Sequence, residues 1–266
     1  MQLIDIGCNL THDSFDADRE EVIVRARHAG VVQMIVTGAS ETGSLAALDL
    51  ARAHPGILFA TAGVHPHHAV DFSADAESVI RELAVQPGVV AGGETGLDYF
   101  RDFSPRPVQR KVFERQLQIG IDSGLPMFLH QRDAHADFLA VLREARDKLA
   151  DVVVHCFTGT RTELEDYLAL DCHIGITGWI CDERRGVHMQ AFMRDIPATR
   201  LMVETDAPYL KPRNLAPEVK TRRNEPCWLP WIAKTLAACR EEPEEQLAAR
   251  TSANARSFFR IGASPE

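Results

Sequence analysis

Short runs rich in apolar and β-branched residues recur along the chain at a steady spacing, separated by stretches with helical periodicity. Eight runs stand out: LIDIGCN (3–9), VQMIVTGA (32–39), ILFATAGVH (57–65), VVAGGETGLD (89–98), PMFLHQR (126–132), VVVHCFTG (152–159), HIGITGWI (173–180) and LMVETDA (201–207). Their apolar positions are nearly continuous instead of alternating, which reads as strands buried on both faces and so as a parallel sheet. Between them, 18–29 carries Val22, Ile23 and Ala26 on one helical face, and 133–149 carries Phe138, Val141, Leu142 and Ala145. Gly30, Pro55, Pro87 and Gly124 stand where such helices should stop.

The runs start roughly 20–40 residues apart, one βα unit each. Eight units in 266 residues satisfy a (β/α)8 TIM barrel. The alternative, an open doubly wound sheet, usually carries a glycine-rich phosphate loop after an early strand, and neither GxGxxG nor GxxxxGK[ST] occurs. No linker-like stretch divides the chain, and 211–266 reads as a long loop followed by terminal helices. One domain over 1–266 is predicted.

Composition narrows the function. With 45% hydrophobic and 25% charged residues, the chain is an ordinary globular one. The balance of 29 Lys+Arg against 38 Asp+Glu, a net charge of −9, argues against holding nucleic acid by overall positive charge. Any phosphate recognition must be local. The six cysteines form no CxxC pair, which suits free thiols in a reducing cytoplasm. The N-terminus lacks a basic leader and no apolar run approaches the ~18 residues of a membrane span, so a cytoplasmic protein without membrane attachment is expected.

The polar residues that close the apolar runs carry the chemistry. His65, Glu94, His130, His155 and Asp206 each fall at the C-terminal end of a run, and in a parallel barrel those ends converge on one mouth. A lone His or Glu at a strand end is ordinarily packing or a cap. Burying Glu94 and Asp206 together would cost several kcal/mol each without a compensating cation. Neither run supplies a neighbouring Lys or Arg; a divalent metal is the economical partner.

Six strings, GVHPHHA (63–69), GETGLDY (93–99), HQRDAH (130–135), VHCFTGT (154–160), IGITGWICDERRG (174–186) and VETDAPYL (203–210), closely resemble the TatD family of metal-dependent deoxyribonucleases. The resemblance runs in order over essentially the whole chain. It implies a metal-bearing TIM barrel in which Glu94, His130 and His155 are ligands. Asp206 is then a further ligand or the catalytic acid/base, and His65 meets the substrate phosphate. It also implies a magnesium-dependent exonuclease that trims single-stranded DNA or RNA from the 3′ end, in DNA repair or degradation. Asp206, Glu94 and His65 are its candidate catalytic residues. Many members begin with an H-x-H pair, whereas this chain has Gly7 and Asn9, a loss that resembles the branch from which the family takes its name. One firm metal is expected, with a second assembled only by Asp206, Asn9 and the substrate. Mg²⁺ suits such an open, phosphate-facing site and Mn²⁺ should substitute.

Candidate substrate contacts are His65, His67 and Arg132, the pair Arg184 and Arg185, and the basic run after the eighth strand. That run carries Lys211, Arg213, Lys220, Arg222 and Arg223 against Glu218. A charged loop is usually only solvated, but barrels often bind phosphate near strands seven and eight. Tyr99, Phe100, Trp179 and Phe157 could stack on unpaired bases. Asp98 and Arg132 could orient ligands. Cys156 should point away from the cavity by strand alternation, which excludes it as a nucleophile. Two alternatives remain. One is an amidohydrolase on the same metal barrel, a class that commonly needs the H-x-H pair and a bridging lysine where this chain has His130. The other is a non-catalytic nucleic-acid binder. A monomer is expected.

Overall fold

The structure is a computed structural model, and it describes residues 1–217 and 219–264. Glu218 lies outside the described residues. Eight strands form one parallel sheet in sequence order: β1 Leu3–Cys8, β2 Val31–Val36, β3 Leu58–Ala62, β4 Val89–Asp98, β5 Met127–Arg132, β6 Val152–Val154, β7 His173–Ile176 and β8 Leu201–Val203. The seam between β8 and β1 is closed by backbone bonds beyond the strand ends, Asp206 N–H to Gly7 O at 2.8 Å and Asn9 N–H to Ala207 O at 2.7 Å. At mid-seam the Asp5 carboxylate stands in for a ladder, accepting from the backbone N–H of Thr205 at 2.9 Å and from its hydroxyl.

Helices α1 Arg19–His28, α2 Glu41–Ala53, α3 Ala74–Ala84, α4 Arg106–Ser123, α5 His135–Ala145 and α6 Arg161–Ala169 each return the chain between consecutive strands. The short α7 Val187–Gln190 sits in the β7–β8 connection, and α8 Leu229–Arg240 and α9 Glu244–Phe259 complete the chain. Local chemistry sets their ends. Ser40 and Ser73 accept from Gly43 and Ala76 N–H at the starts of α2 and α3, Thr160 and Glu163 form a reciprocal capping box on α6, and Gly124 (φ 67) stops α4. Among the described residues no helix is long and apolar enough to cross a membrane.

The core has two compartments. A continuous layer lies between strands and helices, and a smaller plug fills the barrel interior at its floor. There the inward Ile4, Ile6, Ile35, Phe128, Val153 and Met202 meet Phe258, Phe259 and Ile261 at the end of α9. Each buried side chain of this size contributes roughly 1.5–3 kcal/mol, and the ligand-type side chains gather at the opposite rim.

At that rim the strands are shorter than their apolar runs predict. β6 stops at Val154, β7 at Ile176 and β8 at Val203. Beyond those points the backbone turns to aim side chains instead of pairing. Cys156 and Asp206 take left-handed conformations at φ 48 and 53, and residues 178–181 form a 3-10 turn. Hydrophobicity continues past the last ladder bond because the loops are themselves buried.

Candidate metal centre

Glu94 lies midway along β4 and its carboxylate is buried. Its Oε1 is approached by three imidazoles: His155 Nε2 at 2.7 Å, His130 Nδ1 at 3.1 Å and His65 Nε2 at 3.4 Å. His130 comes from β5, His155 is the first residue after β6, and His65 lies three residues beyond β3. Ligand-type atoms of His65, Glu94 and His130 fall within 4.8 Å of one another; His155 joins through Glu94. Of the five residues expected to converge, His65, His130 and His155 meet Glu94, while among the described residues Asp206 makes no hydrogen bond to them and no Lys or Arg is paired with Glu94.

The far-side ring nitrogens show what the cluster is built to hold. His130 turns Nε2 to Asp98 Oδ2 at 3.2 Å, and His155 turns Nδ1 to Glu204 Oε2 at 3.4 Å. Imidazoles that bind metals are oriented in this way, an outer carboxylate fixing the ring so that the other nitrogen faces the ion. His130 Nδ1, His155 Nε2 and the Glu94 carboxylate therefore form a convergent donor set of the kind a divalent cation requires. The protonation pattern agrees. Burial alone would lower His155, but the flanking Glu94 and Glu204 carboxylates hold it well above the usual imidazole range. Burial would raise Glu94, yet His155, His65 and His130 hold it well below the usual carboxylate range. His65, for which burial dominates, is depressed.

Asp98 serves two rings. Its Oδ2 also receives His67 Nε2 at 2.9 Å, while Oδ1 accepts the backbone N–H groups of Phe100 and Arg101 at 3.1 and 2.8 Å. His65, His67 and Asp98 form a second group with metal-ligand spacing. Asp206 stands apart: among the described residues its carboxylate hydrogen-bonds only to Asn9, whose Nδ2 lies 3.1 Å away and also donates to Ala207 O at 3.3 Å. Burial pushes Asp206 up to about 7; His155 opposes this and Glu94 and Glu204 add to it.

Glu204 is the residue that the sequence reading missed. It is completely buried and accepts the Cys156 N–H as well as bonding His155. It occupies the room that an H-x-H pair would need, because a Cβ on Gly7 would sit 2.5 Å from Glu204 Oε2 and a Cβ on Gly175 2.5 Å from Oε1. The signal was present: Glu204 lies two residues before Asp206 in VETD, directly after the apolar run of β8. Cys156 is no nucleophile, although for a different reason from the one expected. It lies beyond the β6 ladder, so alternation does not place it; its thiol rests 3.7 Å from the Thr177 hydroxyl, and burial with Asp206 and Glu204 nearby keeps it protonated.

The cations divide into two sets. Arg132 lies between the faces of Phe100 and Trp179 at 4.7 and 5.0 Å, with its donor edges unpaired among the described residues. Arg184 and Arg185 bond Asp182 yet remain about half exposed, and Arg185 also stacks on Trp179 at 4.3 Å. Arg222 is exposed without an ion pair among the described residues. Arg223, expected to contact substrate, is instead occupied: it bonds Asp18 at 2.7 and 2.8 Å, Glu225 at 2.8 Å and the Ser14 carbonyl at 2.6 Å. Arg213 pairs with Glu183, and Lys211 donates to the carbonyls of Val219 and Thr221 in its own loop. Of the aromatic side chains proposed for stacking, only Phe100 is exposed; Phe157 and Trp179 are buried, and Tyr99 is tied to Asp137 at 2.7 Å. Phe103 and Tyr209, which the sequence reading passed over, are exposed in the loops after β4 and β8. Phe103 packs on His67 at 4.8 Å.

A parallel barrel with a carboxylate and imidazoles gathered at the C-terminal rim defines a metal-dependent hydrolase. Residues 4–260 match the family of TatD-related DNases, and the chain belongs to that family. The 3'-5' ssDNA/RNA exonuclease TatD of Pantoea vagans is 50% identical over 259 residues, covering 97% of this chain and 100% of that protein. Among solved structures, a TatD homolog from Escherichia coli superposes with a TM-score of 0.89 at 27% identity, covering 98% of both chains. A TatD-family hydrolase from Entamoeba histolytica gives 0.88 at 26% identity, covering 98% of this chain and 99% of that one.

Proposed function

We propose that this protein is a metal-dependent 3′–5′ exonuclease that hydrolyses phosphodiester bonds of single-stranded DNA and RNA, in DNA degradation or repair. The observation that carries the reading is the donor set at Glu94, with His130 Nδ1 and His155 Nε2 turned inward by Asp98 and Glu204. Glu94, His130 and His155 would hold one divalent ion, with Mg²⁺ first and Mn²⁺ as its substitute; three protein donors leave coordination positions for phosphate oxygens and water. When bound, the ion supplies Lewis-acid chemistry to the phosphodiester and its attacking water.

The chain's own residues supply the rest. Asp206, buried and hydrogen-bonded to Asn9, would take a proton from the attacking water. His65, 3.4 Å from Glu94, and Arg132, stacked on Phe100 and Trp179, would offset the growing charge of the phosphate. His67, Arg184, Arg185 and Arg222 extend this contact along the strand; Arg223 is left out because its donors are taken. A small-molecule amidohydrolase is disfavoured, since Glu204 fills the deep ligand position. A monomer is proposed, and the six free cysteines support a cytoplasmic location. The test is digestion of oligonucleotides labelled separately at each end, with Mg²⁺ and with EDTA. Loss of label from the 3′ end alone, abolished by EDTA, is expected; metal-independent or 5′-first degradation contradicts the reading.

A further inference from the structure

Next to the metal centre, outside the ring of strands, the loops after β5 and β6 enclose a cavity of about 300 Å³. Its walls are residues 131–133 and 157–160, completed by Val154, Glu163, Tyr167 and His188. Gln131 and Val154 are chain neighbours of His130 and His155, so the cavity and the metal centre share two strand ends. The volume lies at the small end of ligand sites, suited to one planar ring system with part of its sugar.

The lining is polar in a particular way. Gln131 Nε2 lies 2.9 Å from the Tyr167 hydroxyl, which lies 3.0 Å from His135 Nδ1, and His135 Nε2 lies 2.9 Å from Asp166. A ring donating to Asp166 through Nε2 accepts the tyrosine O–H at Nδ1, and that hydroxyl in turn accepts from Gln131. The Tyr167 side chain is buried, so the relay is sheltered and the carboxamide is fixed in one orientation. One N–H of Gln131 remains, together with a carbonyl oxygen whose hydrogen bond within the fold is a long 3.5 Å contact to Ala134 N–H. An oriented carboxamide edge is the group that pairs with the hydrogen-bonding edge of a base.

The same lining offers no spare anion site at the start of α6, where Thr160 and Glu163 already satisfy the backbone, and Asp133 and Glu163 balance the charge of Arg132 among the lining residues.

We propose that this cavity is a subsite for one unpaired nucleobase of the strand whose phosphate sits at the metal centre, with Gln131 reading the edge of that base. The proposal rests on the nuclease reading. A base held in a duplex cannot enter without leaving its partner, so the subsite makes single strands the better substrate.

The test uses single-stranded oligonucleotides carrying one abasic residue at each of the last three 3′ positions, digested with Mg²⁺. At one position the wild type should show KM raised about tenfold, the order lost with one base contact, and little change in kcat. Gln131→Ala, and Thr158→Trp which fills the cavity, should raise KM for the intact strand to a similar level and abolish any further effect of the missing base. Tyr167→Phe, which keeps the carboxamide but releases it, should fall between. Thermal melting and Mn²⁺ binding check that fold and metal centre survive. Equal wild-type KM values at all three positions, or variants that keep the wild-type ratio, overturn the proposal. If the wild type cleaves nothing, the nuclease reading falls, and the same strands are compared by fluorescence anisotropy in EDTA. A Gln131-dependent loss of affinity at one position then supports the subsite, and no such loss overturns it.

Discussion

The strand-end residues and the basic loop after β8 are both clusters of chemistry near one rim, yet the structure treats them oppositely. Glu94, His130 and His155 sit on or directly after buried strands, so the barrel decides where their short side chains point, and they meet. The cations of 211–223 sit on a long connection with long side chains, and nearby acids claim two of them, Arg213 and Arg223. Arg223 fastens the loop to α1 through Asp18, with Glu225 in the same network, while Arg213 finds Glu183. Residue type predicts role where topology fixes direction. Where it does not, local pairing decides.

The largest expected effect is at the strand ends. Glu94→Ala or His155→Ala should remove the several kcal/mol of charge stabilisation that a bound ion supplies, about a thousandfold or more in kcat, with the barrel still folded by circular dichroism. A folded variant that keeps wild-type activity would place the chemistry elsewhere.

Asp5 sharpens the comparison from the seam. Burial pushes it up to about 8, outweighing the donors Thr205 and Gly7, with Glu204 adding to the rise. A folded-state value above the unfolded one means that the fold prefers the protonated form. Its contribution is therefore complete below about pH 4 and is lost as pH rises toward 8, a loss of roughly several kcal/mol. Asp5→Asn should flatten denaturant-derived stability across that window; an unchanged slope would show that Asp5 is ionised in the fold.

Glu204→Gln should weaken Mn²⁺ binding about 10- to 100-fold, the usual cost of losing an outer carboxylate on a metal-bound imidazole. Gly7→His should not restore a deeper metal, because the new side chain would collide with Glu204; isothermal titration showing a gained second site would refute that steric argument. Smallest is the contrast between two neighbouring arginines. Arg223→Ala should cost about 1–3 kcal/mol of stability through lost charged hydrogen bonds and leave the salt dependence of DNA binding intact. Arg222→Ala should spare stability and reduce the salt slope by about 1. The reverse outcome would mean that the loop rearranges on binding.

Much of this was legible in the sequence, for reasons that particular residues show. Continuous apolar runs announced parallel strands, and polar residues toward the ends of five of the runs were expected to meet at the mouth, which brought Glu94, His130 and His155 forward. Glu204 was missed because Asp206 closed the same run and drew attention to itself; the packing of its carboxylate between Gly7 and Gly175 depends on strands β1 and β7, which the local sequence does not show. The fate of Arg223 depended on Asp18, 205 residues away in the chain. Exposed Phe103 and buried Phe157 both follow strand ends by a few residues, and what separates them is that Phe157 packs against Tyr167 of α6 and against Phe192.

The most direct measurement is an anomalous-difference map from crystals grown with Mn²⁺. One strong peak is predicted within coordination distance of Glu94, His130 Nδ1 and His155 Nε2, with Asp98 and Glu204 still holding the far nitrogens of the two rings. A principal peak at Asn9 and Asp206, or none near Glu94, would contradict the account.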